Sequence, residues 1–169
     1  MESIKPQSLT ADLLEMCRID QAMRDAAAKD ASLWDDSVDA QNTACLKEIV
    51  AKNGWPTTST VGAEASHAAW LLVQHAYADP DFMKTCLALM KKANDQHEGE
   101  VTQRDIAYLE DRLLTMENEP QIYGTQFHIV NGALEPFPIK DPEHIDERRA
   151  RVGLDTFAEY KVRVQAMYS

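Results

Sequence analysis

The chain has 169 residues and a mass of 19.0 kDa, the size of one ordinary domain. Its 28 Asp and Glu against 17 Lys and Arg give a net charge of −11. That excess leaves no basic stripe to displace counterions from a polyanion and opposes docking on an anionic membrane surface, so neither nucleic acid nor membrane is an expected partner.

Helical spacing dominates from the start. The expected architecture is mainly α: a single domain over 1–169, with residues 1–9 as an N-terminal extension. About six or seven helices form a bundle with one small β-hairpin near residues 126–137. The first helix is predicted from Thr10, a suitable N-cap, to about Asp30, with Leu13, Leu14, Cys17, Ile19 and Met23 as its apolar stripe. A second follows from Asp35 or Asp36 to Asn53, with Val38, Cys45, Leu46 and Ile49 inward and Asn42 as the one polar interruption. Gly54 and Pro56 stop it. After an irregular connector, Trp55 to Gly62, a third helix covers about Ala63 to Tyr77. Its run Ala68 to Val73 is apolar nearly all round, which marks a central helix. That run is also the longest strongly apolar stretch, far short of the roughly 20 residues of a membrane span.

Asp79-Pro80 reads as N-cap and N1 of a fourth helix ending near Asn94 to Gln96, and Thr102 opens a fifth to about Glu117. Asn131-Gly132 between two short apolar runs is a hairpin signal, because a type I′ turn needs positive φ at both central residues. Asp141-Pro142 caps another helix that Gly153 ends, and Asp155 caps the last, to about Met167. Cys17, Cys45 and Cys86 contain no Cys-x-x-Cys pair and read as buried thiols in a reducing cytoplasm. The N-terminus shows no signal-peptide pattern, so the expected location is cytoplasmic.

No nucleotide-binding glycine loop, serine-hydrolase elbow or His-Glu-x-x-His motif is present, and no cofactor is expected. His67 and His75 share a helix face but stand roughly 12 Å apart by helical rise, too far to ligate one metal, and no metal site is assigned. His75 is the better functional candidate, at the end of an apolar helix with Gln74 beside it, although a histidine there can also simply cap terminal carbonyls. Asp20 and Arg24 are i,i+4 on one helix face with Gln21 adjacent, and Asp39 and Asn42 are three apart on the next helix. Asp111-Arg112 lies deep in an otherwise apolar helix. Adjacent residues there point about 100° apart, so each side chain reaches for another element. Gln121-x-Tyr123-Gly124-Thr125-Gln126 packs polar groups into a loop entering the hairpin, as a ligand contact or as a turn satisfying helix ends. The basic cluster Arg148-Arg149-x-Arg151 suits the C-terminal end of an acidic helix.

The ordered motifs include Asp20-Gln21-x-x-Arg24, Asp39-x-x-Asn42-Thr43, Gly54-Trp55-Pro56 and Trp70-Leu71-Leu72-Val73-Gln74-His75-Ala76. They continue with Tyr108-Leu109-x-Asp111-Arg112, Gln121-x-Tyr123-Gly124-Thr125-Gln126 and Asp141-Pro142-x-x-x-Asp146-x-Arg148-Arg149. Together they resemble a bacterial domain-of-unknown-function family over about residues 10–160. The chain departs from that pattern where Tyr77 follows Gln-His-Ala; the acid comes later, at Asp79. The resemblance implies no reaction, but most positions that carry it are polar. Polar groups in an apolar bundle are costly to bury unless paired, which points to a shared pocket or a buried network.

The leading expectation is an enzyme acting by general acid–base chemistry on a small polar or anionic molecule, as a hydrolase or lyase. His75 is acid or base, partnered by Asp111 or Asp39. Arg24 and Arg112 hold an anionic group, with Asp20, Gln21, Asn42, Gln74, Gln121, Tyr123 and Gln126 as further ligand contacts. The alternatives are a non-catalytic ligand-binding or immunity-type module and a structural bundle with a buried polar network. Oligomeric state is open.

Overall fold

A computed structural model describes residues 6–167; residues 1–5 of the expected 1–9 extension lie outside them, and residues 6–9 belong to the first helix, which starts at Pro6 rather than Thr10. The fold is mainly α with one small antiparallel hairpin. The chain divides into two compact units, Met1–Thr102 and Gln103–Ser169.

The first unit contains α1 (Pro6–Lys29), α2 (Asp36–Asn53), α3 (Thr58–Val61), α4 (Ala63–Gln74) and α5 (Pro80–Gln96). Helix α4 packs against all four others. Ala65, Ala68, Ala69, Leu72 and Val73 are buried on it, and the small side chains let neighbouring backbones approach. The connector read as irregular holds the single turn α3, in which Thr57 and Thr60 form a capping box. Helix α2 stops as expected at Gly54, at φ 74°. Asp79 caps α5 by accepting from Phe82 N–H at 3.0 Å, with Pro80 in the first turn.

Three expectations change here. Helix α4 ends at Gln74 rather than Tyr77, because His75 and Ala76 N–H groups turn back to Leu72 and Val73 carbonyls. Cys45 is exposed while Leu46 and Ile49 are buried. Ile19 is also exposed; the inward position is Asp20, fully buried. Asp20 is seven residues beyond buried Leu13, about 20° from it around the helix, whereas Ile19 is about 120° away.

The second unit contains α6 (Gln103–Met116), the hairpin β1 (Phe127–Val130) and β2 (Ala133–Pro136), α7 (Ile145–Arg151) and α8 (Phe157–Met167). Phe127 pairs with Pro136 and Val130 with Ala133, around Asn131 and Gly132 at φ 52° and 82°. Helix α8 is opened by Thr156 and Glu159, which cap each other, while Asp155 pairs with Arg149 and Arg163 instead. Arg149 is fully buried; it donates to the Tyr123 carbonyl at 2.6 Å and the Asp155 carbonyl at 2.6 Å, and its guanidinium lies 4.8 Å from the Tyr160 ring centroid.

Gly124 is the tightest point in this unit. It has φ 68°, and a Cβ there would sit 2.8 Å from both Ile145 Cδ1 and Phe157 Cε2. Gly124→Ala should therefore destabilise the protein by about 2 kcal/mol or more, read as a fall in urea midpoint, through strain and overpacking together.

Candidate functional site

The buried carboxylate of Asp20 collects three side chains. Gln21 Nε2 donates to it at 2.7 Å, His75 Nδ1 lies 3.0 Å away, and Arg24 Nε approaches at 3.3 Å. Arg24 extends the cluster: Nη2 donates to Asp39 Oδ1 at 2.5 Å, Nε faces His75 Nδ1 at 3.0 Å, and the guanidinium lies 4.9 Å from the Trp34 ring centroid. Three elements thus meet at one point. Helix α1 supplies Asp20, Gln21 and Arg24, α2 supplies Asp39, and the C-cap of α4 supplies His75. Burial pushes the Asp20 carboxyl up, but the hydrogen bonds from His75, Gln21 and Arg24 and the His75 charge outweigh it and leave the group below its ordinary range.

His75 Nδ1 has two neighbours it cannot satisfy at once. Carrying a proton, it donates to Asp20; without one, it accepts from Arg24 Nε–H. Nε2 has no hydrogen bond among the described residues. His75 borders a cavity of about 400 Å³, lined also by Trp34, Asp36, Asp39, Thr43 and Tyr77. Asp36, Asp39, Ala40 and Thr43 come from one face of α2, at i, i+3, i+4 and i+7. Trp34 is anchored by donation from Nε1 to Asp36 Oδ1 at 2.7 Å.

Asp20, Asp39 and His75 offer ligand atoms within 4.8 Å of one another, close enough for a metal ion. Arg24 argues against one: its guanidinium already contacts all three, and a metal ion would have to displace it from them. Cys86 is buried, and burial pushes its thiol up to about 12, the state of an inert core thiol.

The candidate residues of the second unit form a cluster of their own around Asp111 and Gln121. Asp111, fully buried on α6, accepts at Oδ1 from Ile122 N–H at 2.7 Å and Tyr123 N–H at 3.0 Å. At Oδ2 it accepts from Thr125 N–H and Oγ1, each at 3.0 Å. Gln121 is buried as well; its Nε2 donates to the Gln126 and Phe137 carbonyls at 3.0 Å, and its Oε1 accepts from Gln126 N–H at 2.8 Å. Arg112 Nε donates to Gln126 Oε1 at 3.2 Å, and Arg148 Nε donates to the Ile122 carbonyl at 2.9 Å. The Tyr-Gly-Thr-Gln loop is thus folded onto the Asp111 carboxylate by its own amides. Desolvation raises the Asp111 carboxyl despite those amides, and no ion pair to it occurs among the described residues.

The carboxylate at His75 is Asp20, where the sequence reading paired it with Asp111 or Asp39. Asp79 is engaged as the α5 cap and as the partner of Lys47. Arg24, expected to hold an anion, is bound to Asp20 and Asp39. Asn42 and Gln74 are buried on α2 and α4, and neither borders the cavity. The cavity residues Trp34, Asp36 and Tyr77 are not among the expected site residues: Asp36 reads from sequence only as a helix start, Tyr77 only as a departure from the family pattern, and Trp34 falls in no motif.

The two fully buried acids among the described residues, Asp20 and Asp111, predict opposite pH dependences. The stability supplied by Asp20 is present above its ordinary value of 3.8 and is lost as pH falls through its lowered folded value. Asp111, raised from 3.8, favours the folded state most when protonated and contributes less as pH rises through its folded value. In urea titrations between about pH 3 and pH 6, the stability gap between wild type and Asp20→Asn should shrink toward acid. The corresponding gap for Asp111→Asn should change in the opposite sense over the same range.

No curated protein and no solved structure matches the chain. A family model described as a family of unknown function, DUF6624, matches residues 7–169, and the chain belongs to that family.

Proposed function

We propose that this protein is an enzyme that acts on a small molecule by general acid–base chemistry centred on His75, in the manner of a hydrolase or lyase. The observation that carries the reading is the pairing of a cavity-lining histidine with a fully buried carboxylate. His75 Nδ1 lies 3.0 Å from Asp20, and Nε2 has no partner among the described residues. A carboxylate behind Nδ1 orients the ring and stabilises the imidazolium that forms when Nε2 takes a proton. In the other half of the cycle the imidazolium keeps Nδ1–H on Asp20, delivers the Nε2 proton and returns to its starting Nδ1–H form. Arg24 Nε–H, 3.0 Å from Nδ1, positions the ring when Nδ1 is unprotonated.

Asp39 and Arg24 act as positioning residues in this scheme. Asp39 accepts from Arg24 Nη2 and so fixes the guanidinium beside the ring. The small-molecule character of the substrate follows from a cavity of about 400 Å³, at the lower end of ligand-pocket sizes.

The test is turnover of a bacterial metabolite extract by the full chain, followed by mass spectrometry and repeated with His75→Gln and Asp20→Asn. At least one metabolite should be consumed by wild type, with a rate lower by about 10²- to 10⁴-fold in His75→Gln and a shifted pH–rate profile in Asp20→Asn. Equal consumption by wild type and a folded His75→Gln variant would reject the assignment.

A further inference from the structure

Resting on that reading of the cavity, we infer that its ligand carries a positively charged group beside a flat or apolar ring, an organic ammonium rather than an anion. The first reason is the state of the one nearby arginine. Arg24 Nε and Nη2 are directed at Asp20, His75 and Asp39, and its guanidinium lies against Trp34. Drawing it toward a ligand anion would leave the fully buried Asp20 carboxylate without one of its donors and Asp39 without its ion pair.

The second reason is the lining itself. It includes two carboxylates, Asp36 and Asp39, and neither Lys nor Arg. Asp36 uses Oδ1 to accept from Trp34, and Asp39 uses Oδ1 to accept from Arg24, so each has an Oδ2 with no hydrogen bond among the described residues. Two such oxygens on one face of α2 suit an N–H-bearing cation and repel an anion.

The third reason is the pair of aromatic rings at the same cavity. Trp34 is 44% exposed and Tyr77 49% exposed, large areas for rings of that size at one opening. Aromatic faces next to carboxylates bind cations through the ring quadrupole and cover the apolar part of the same ligand. The net charge of −11 acts in the same direction at long range, favouring encounter with cations.

The proposal is tested by calorimetric titration of the full chain with phenethylamine and with 3-phenylpropionate, which share a ring and a two-carbon spacer and differ in charge. Phenethylamine should bind in the millimolar range or tighter and at least about tenfold more tightly than 3-phenylpropionate. Asp36→Asn retains an oxygen to accept from Trp34 Nε1 and should weaken the amine about threefold without weakening the acid. Equal or tighter binding of 3-phenylpropionate, or no heat from phenethylamine, would overturn the cation assignment. The two proposals fail separately. His75-dependent turnover in a protein that ignores the amine leaves the acid–base reading standing, and amine binding without any His75-dependent turnover does the reverse.

Discussion

The burial of one carboxylate, that of Asp20, governs the arrangement of the first unit's polar end. Its position on α1 is in phase with Leu13, where an apolar side chain would serve packing alone. An ionised carboxylate without partners at such a place would cost several kcal/mol. Gln21 and Arg24 come from the same helix, but the third partner, His75, belongs to α4. That bond requires α4 to end beside Asp20 with His75 at its C-cap. Arg24 in turn needs the second acid, Asp39 on α2, so each polar group draws in the next until three helices are tied together at one edge of a cavity.

Asp111 solves the same problem by other means. Its partners are four hydrogen-bond donors from residues 122–125, all neutral, whereas Asp20 has an arginine and a histidine. Amide dipoles satisfy the oxygens but do not cancel their charge, which is why one carboxyl is raised and the other lowered. The consequence differs too. Neutral donors anchored on an acid hold a loop still, while the acid at His75 orients a ring whose other nitrogen, Nε2, has no hydrogen bond among the described residues.

Much of the fold is legible in local chemistry. Gly54, the Asp79-Pro80 cap and the Asn131-Gly132 turn act through their own backbone angles and nearest amides, so the sequence places them without tertiary information. The candidate site is legible only in its members. Asp20, Arg24, Asp39 and His75 all stand out as polar groups on helices. Their pairing spans 51 to 55 residues of chain for the His75 contacts, and spacing on a single helix says nothing about which helices meet. The phase of α1 carries more: Asp20, seven residues from Leu13, lies on the inner stripe where Ile19 does not. A buried acid on α1 calls for a cationic or N–H-bearing partner from another element. The cavity residues Trp34 and Tyr77 gave no such signal, since an aromatic side chain in a loop carries no periodicity.

Charge neutrality links the chemistry of the histidine to the identity of the ligand. Asp20 and Asp39 oppose the single positive charge of Arg24, so the cluster holds one excess negative charge while His75 is neutral. A proton on His75 removes that excess, and so does a cation entering beside Asp39. The two would compete for the same negative charge. Under the proposed reading the cationic ligand and the base role of His75 therefore support each other, because the acidic lining that would receive the ammonium group leaves the Nε2 lone pair as the proton acceptor.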